Sequence, residues 1–71
     1  MSLKIDKLIR MVNDISNFFN AEPDKTVAAE GVKNHIMRFW EKRMQADIIA
    51  YHQGGGEGLS PLAKTAISLL I

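Results

Sequence analysis

Residues 3–20 read LKIDKLIRMVNDISNFFN, and their spacing decides the fold class. Ile5, Leu8, Val12, Ile15 and Phe19 step by three and four. Ile9, Met11 and Phe18 widen the stripe, and Asp6, Lys7, Arg10, Asn13, Asp14 and Asn17 fill the opposite side. Positions three and four apart share one face of an α-helix. At about 100° per residue the apolar arc approaches half the circumference, more than a two-helix seam uses. This helix is therefore expected to touch more than one neighbour. It should end near Ala21, because Pro23 drives Glu22 out of the helical region.

Outward from this stretch the same period continues, and no run alternates with period two for long enough to suggest a strand. Asp24 is a plausible N-cap for a helix over 25–40, with Ala28, Ala29, Val32, Ile36, Phe39 and Trp40 inward. Gly31, mid-helix, costs up to about 1 kcal/mol relative to Ala, and is expected to permit a close helix crossing. Register is lost around Trp40 to Lys42, which predicts a break, and the stripe resumes as Met44, Ile48, Tyr51 and His52 in a helix over 42–53. The segment QGGGEG at 53–58 follows. Gly54 is read as a left-handed C-cap and 54–58 as a flexible connector. Ser60-Pro61 then places a cap and a first-turn proline on a last helix over 60–70. That helix turns Leu62, Ala66, Leu69 and Leu70 inward and leaves Ile67 and Ile71 off that face. The expected architecture is all-α, a small three- to four-helix bundle forming one domain over 1–71.

Size and composition narrow the function. The chain has 71 residues, nine Lys and Arg, eight Asp and Glu, and no Cys. A chain of this mass folds to about 4,400 Å² of surface from roughly 11,500 Å² unfolded, which leaves a thin core. Little interior is available for an enclosed active site, so a binding or structural part is favoured over a catalyst. Small domains are commonly reinforced by disulfides, a metal or a partner. Without Cys the first is excluded and most structural zinc sites with it, and a partner remains. A net charge of +1 gives no broad basic field for a polyphosphate backbone. Charges or amides recur every two to four residues in the first 19, so neither a signal-peptide block nor a membrane span is expected there, and the location is read as cytoplasmic.

Few residues invite chemistry. His35 and His52, 17 positions apart, lack the paired spacing of a metal site and read as helix-edge imidazoles. The glycine cluster lacks the Gly-Lys-Ser/Thr ending of a phosphate loop. Ser60 reads as a cap, with no G-x-S-x-G context around it. The stretch His35-Ile36-Met37-Arg38-Phe39-Trp40-Glu41-Lys42-Arg43-Met44 is different. It brings two aromatics, two Arg, one Lys, one His and two Met to a helix junction. Aromatics, Arg and Met are the types enriched where proteins meet. His35, Met37, Arg38, Trp40 and Arg43 are the candidate partner-binding residues, with Phe39 and Trp40 also expected to serve the core. No catalytic, cofactor-binding or metal-binding residue is assigned.

The order of features resembles the delta subunit of the NAD-dependent, molybdenum-containing formate dehydrogenases. The likeness is carried by Leu8-Ile9-Arg10-Met11-Val12-Asn13-Asp14-Ile15 leading to Phe18-Phe19, then His35-Ile36-Met37-Arg38-Phe39-Trp40 with Arg43-Met44, the glycine connector, and Gly58-Leu59-Ser60-Pro61-Leu62. It spans about residues 7 to 70. Glu41-Lys42 stands where that family commonly has Asp-Pro. The resemblance implies a non-catalytic accessory subunit of a soluble cytoplasmic complex. Its partner would be the alpha subunit, which carries the molybdenum cofactor and iron-sulfur clusters, with flavin and NAD handled by other subunits. The chain itself would hold no cofactor and contact neither nucleic acid nor membrane. The implied role is assembly, stability or cofactor insertion. Two alternatives come from the residues alone. One is a self-associating module, a homo-oligomer when isolated. The other is a small helix-turn-helix DNA-binding regulator presenting Lys42, Arg43, Gln45 and Gln53.

Overall fold

Caps and breakers divide the chain into four helices in a computed structural model that describes residues 3–71. Residues 1 and 2, included in the expected domain, lie outside the described residues. Helix α1 runs Leu3–Phe19. Past its end the Lys25 ammonium donates to the Asn20 carbonyl, the Asn20 Oδ1 and the Glu22 carbonyl at 2.8, 3.0 and 3.1 Å, fixing the turn. Helix α2, Lys25–Phe39, starts where the Asp24 carboxylate accepts from the Thr26 and Val27 N–H groups, satisfying two of the donors every helix start leaves open. Helix α3 covers Lys42–Gln53. Helix α4 covers Pro61–Ser68, with Ser60 Oγ accepting from the Ala63 N–H. No described residue is in a strand, so the fold is the all-α bundle that the periodicity predicts. No described helix is long and apolar enough to cross a membrane.

Helix α2 lies between α1 and α4, and α3 closes against both of these. Its buried face is Ala28, Ala29, Val32 and Ile36. Two alanines at the start let the neighbours come close, and Ile36 fills the wider end. Leu8 and Val12 meet it from α1, Ile48 from α3, and Leu62, Ala63, Ala66 and Ile67 from α4. Ser16 is also buried, and its hydroxyl donates to the Val12 carbonyl at 2.7 Å. The accessible surface is 4682 Å², slightly above the roughly 4,400 Å² expected for this mass. Among the described residues, the large apolar side chains of Phe18, Val27, Met37, Phe39, Leu69 and Ile71 contribute to it.

Three expectations are corrected. Ile67, placed off the inward face of α4, is fully buried, whereas Leu69 is exposed. Because α4 packs on α2, α3 and α1 together, its buried arc is centred between Leu62 and Ile67 and leaves Leu69 at the edge. Gly54 is not the left-handed residue, having φ −85°. That role belongs to Gly55, φ 126°. Its N–H bonds the His52 carbonyl while the Gly56 N–H bonds the Tyr51 carbonyl, both at 3.1 Å, the paired bonds of a Schellman C-cap. Nor is 54–58 a loose connector. Gly56 is buried, the Tyr51 hydroxyl donates to the Glu57 carbonyl, and the Asn13 carboxamide holds both the Gly58 carbonyl and the Ser60 N–H.

Candidate protein-binding site

The α2–α3 junction is built by one side chain. Trp40 leaves the helix at φ −91°, ψ 137°, and Glu41 follows at φ −63°, ψ 152°. Two extended residues make a full break with Lys42, not proline, opening α3. Helix ends expose carbonyls that need donors. Gln45 Nε2 supplies them, bonding the Trp40 carbonyl at 2.9 Å and the Ile36 carbonyl at 3.5 Å. Its amide is thereby turned into the junction and is not free to read a base edge.

The break also decides which aromatic is inside. Once Trp40 departs from the helical path its ring enters the core, with 6% of the residue exposed. Phe39, the last residue of α2, is left 68% exposed. Its assignment to the core is therefore corrected, and Trp40 has no free face with which to touch a partner. The Phe39 ring lies 4.7 Å from the His35 ring, tilted by 45°, and the Arg38 guanidinium is 5.7 Å from its centroid. That is within cation–π range, worth about 0.5–1 kcal/mol at an exposed site. Met37 is 57% exposed; Arg38 and Arg43 are exposed and His35 half-buried. The junction thus presents His35, Met37, Arg38, Phe39 and Arg43 above a buried Trp40. Sequence reading missed Phe39 as a surface residue. The signal was available in the helix end itself, since only one of two adjacent aromatics can follow the stripe inward.

Charge is concentrated at the same place. Residues 33–44 hold four cations, Lys33, Arg38, Lys42 and Arg43, and one acid, Glu41, a net +3. The other 59 residues hold five cations and seven acids, a net −2. Among the described residues, none of these four cations is paired with a carboxylate of the chain.

At the opposite end of α2 a cleft of about 390 Å³ opens between α1, α2 and α4, lined in part by Ser16, Asn20, Lys25, Thr26, Ser60 and Leu62. Its polar groups are largely occupied. The Lys25 ammonium has its three acceptors, the Ser16 hydroxyl has the Val12 carbonyl, and Ser60 Oγ caps α4. His52 lies elsewhere, against Gly56, with a shielded Nδ1 that has no hydrogen-bond partner. The two histidines are not brought together: His35 is on α2 against Phe39, and His52 is in the last turn of α3. Among the described residues no three His, Asp or Glu side chains converge as a metal site would require.

A protein-family comparison matches residues 7–67 to the NADH-dependent formate dehydrogenase delta subunit, FdsD. The chain belongs to this delta-subunit family. The match covers 61 of the 71 residues and takes in the whole junction and the glycine turn. Membership makes the chain a delta subunit of a formate dehydrogenase, with the other subunits of that complex as its partners. No curated protein and no solved structure shows a significant match.

Proposed function

We propose that this delta subunit is a non-catalytic accessory part that docks on the molybdenum-containing alpha subunit and supports its assembly, stability or cofactor insertion. The observation that carries the reading is Phe39, 68% exposed at a helix end and framed by His35 and Arg38. A rigid ring with an adjacent planar cation has the make-up of an interface anchor. Met37 and Arg43 extend the face. Redox chemistry stays with the other subunits, since a chain without Cys offers no thiolate to an iron-sulfur cluster.

The mechanism is mass action. A chain that binds only the assembled or cofactor-loaded alpha subunit raises the population of that state, by about 2.7 kcal/mol when present at a hundred times its Kd. Enzyme produced with and without this chain is compared for subunit stoichiometry and molybdenum content. One copy retained per alpha subunit, with a lower yield of intact complex in its absence, supports a structural subunit. A molybdenum deficit in its absence without stable retention supports a maturation role. Equal yield and equal molybdenum in both preparations would remove the proposal.

A further inference from the structure

Resting on that docking reading, we infer that the surface receiving the junction is an acidic protein surface, with carboxylates ringing an apolar socket for Phe39. The charge distribution carries this. A chain of net charge +1 keeps +3 in residues 33–44 and −2 elsewhere. The seven acids outside this stretch are Asp6, Asp14, Glu22, Asp24, Glu30, Asp47 and Glu57, and even Glu30 and Asp47, one helical turn from Lys33 and Arg43, form no ion pair with them. Lys33, Arg38, Lys42 and Arg43 have neither an ion pair nor a hydrogen bond within the described residues. Arg38 and Arg43 therefore keep their planar donor forks free, and those forks match carboxylate oxygens two at a time.

A phosphate backbone fits the face less well. Phe39 and Met37 place apolar area among the cations, Glu41 interrupts them, and Asp47 follows one turn into α3. Gln45 is committed to the Trp40 carbonyl. Discrete carboxylates can be spaced around the apolar contact and away from Glu41 and Asp47, whereas a continuous row of phosphates would run past both. Charges at the rim of an interface act chiefly on the rate of encounter, and a buried ring chiefly on the rate of escape.

The test is the association rate of the full-length chain with enzyme complex prepared without it, followed from about 0.05 M to about 0.5 M salt. The expected result is a fall of about tenfold or more over that range. At low salt Arg38→Glu and Arg43→Glu each slow association, with the difference from the parent chain shrinking as salt rises. Phe39→Ala acts instead on dissociation, and Lys7→Glu, on the exposed side of α1, changes little. Thermal melts confirm that each variant is folded. If Phe39→Ala weakens binding while both arginine reversals and salt are without effect, docking stands and the acidic receiving surface is overturned. If none of the three junction variants matters, both fall. Equal slowing by Lys7→Glu overturns a local charge match in favour of a general field. Competition by duplex DNA at low salt overturns the protein surface in favour of nucleic acid.

Discussion

The ring of Phe19 lies directly on the backbone of Gly31, so that a β-carbon at position 31 would come within 2.5 Å of its Cε1 and 2.6 Å of its Cδ1. The mid-helix glycine thus lets the end of α1 cross α2 closely. Its cost to the helix, about 1 kcal/mol against Ala, is set against that contact. Gly31→Ala should destabilise the chain by about 1 kcal/mol, because the displaced ring outweighs the better helix propensity. With Phe19→Ala already in place, the same change should stabilise by about 0.5–1 kcal/mol. Urea unfolding of all four species gives the coupling. An identical effect of Gly31→Ala in both backgrounds would mean the ring is not what the glycine serves.

Asn13 ties α1 to the segment entering α4 across more than forty residues of sequence. Its Nδ2 donates to the Gly58 carbonyl and its Oδ1 accepts from the Ser60 N–H, each at 2.9 Å. Asn13→Ala removes both bonds and should cost about 1–3 kcal/mol, or about 4–8 °C in Tm for each kcal/mol in a domain this small. Asn13→Asp keeps the acceptor but turns a carboxylate oxygen toward a carbonyl. Its loss should therefore be partly recovered on mild acidification, when the protonated acid can donate again. Melting curves of the two variants at neutral and acid pH read the difference.

The glycine turn separates two residues that look alike in sequence. Gly54 has φ −85° and only ordinary contacts for a β-carbon, 3.5 Å from the Ala50 carbonyl oxygen. Gly56 has φ 64°, and a β-carbon there would lie 3.2 Å from Leu59 Cδ1 and 3.3 Å from His52 Nδ1. Gly54→Ala should shift stability by no more than about 0.5 kcal/mol, and Gly56→Ala should cost about 1–3 kcal/mol. Equal melting temperatures for the two would count against the left-handed geometry.

What the sequence made legible follows from how each feature arises. The four helices were readable because period 3.6, Pro23, Asp24 and Ser60-Pro61 act locally. The misplaced residues all depend on where a helix stops or on a distant group. Phe39 lies outside and Trp40 inside because α2 ends between them, at a break where Gln45 Nε2 bonds the Trp40 carbonyl. Ile67 and Leu69 differ in burial because α4 has three neighbours. Asn13 sits on what reads as the polar face of α1, and nothing in its local pattern announces a partner at Ser60. The concentration of aromatics, cations and methionines at 35–44 was legible as a composition, whereas which of its two adjacent rings is exposed follows from where α2 ends.

Phe39 and Trp40 are adjacent in sequence yet should respond oppositely to substitution. Phe39 is 68% exposed and Trp40 6%. Phe39→Ala removes little buried area, so its melting temperature should match the parent's to within the effect of about 0.5 kcal/mol. If the ring anchors the alpha subunit, the same change should weaken docking by about 2 kcal/mol, roughly thirtyfold in Kd. Trp40→Ala should cost about 3–5 kcal/mol of stability, much of what a domain of this size has, so Trp40→Phe is the more informative partner experiment. That variant should lower the melting temperature and, where the chain remains folded, leave docking nearly intact, because no free face of Trp40 reaches the surface. Gln45→Ala separates the two properties further. Loss of the bonds to the Trp40 and Ile36 carbonyls should cost about 1 kcal/mol and loosen the angle between α2 and α3. Docking should then weaken although every residue of the face is still present. Docking unaffected by Phe39→Ala but lost in Trp40→Phe would reverse the assignment of the two rings.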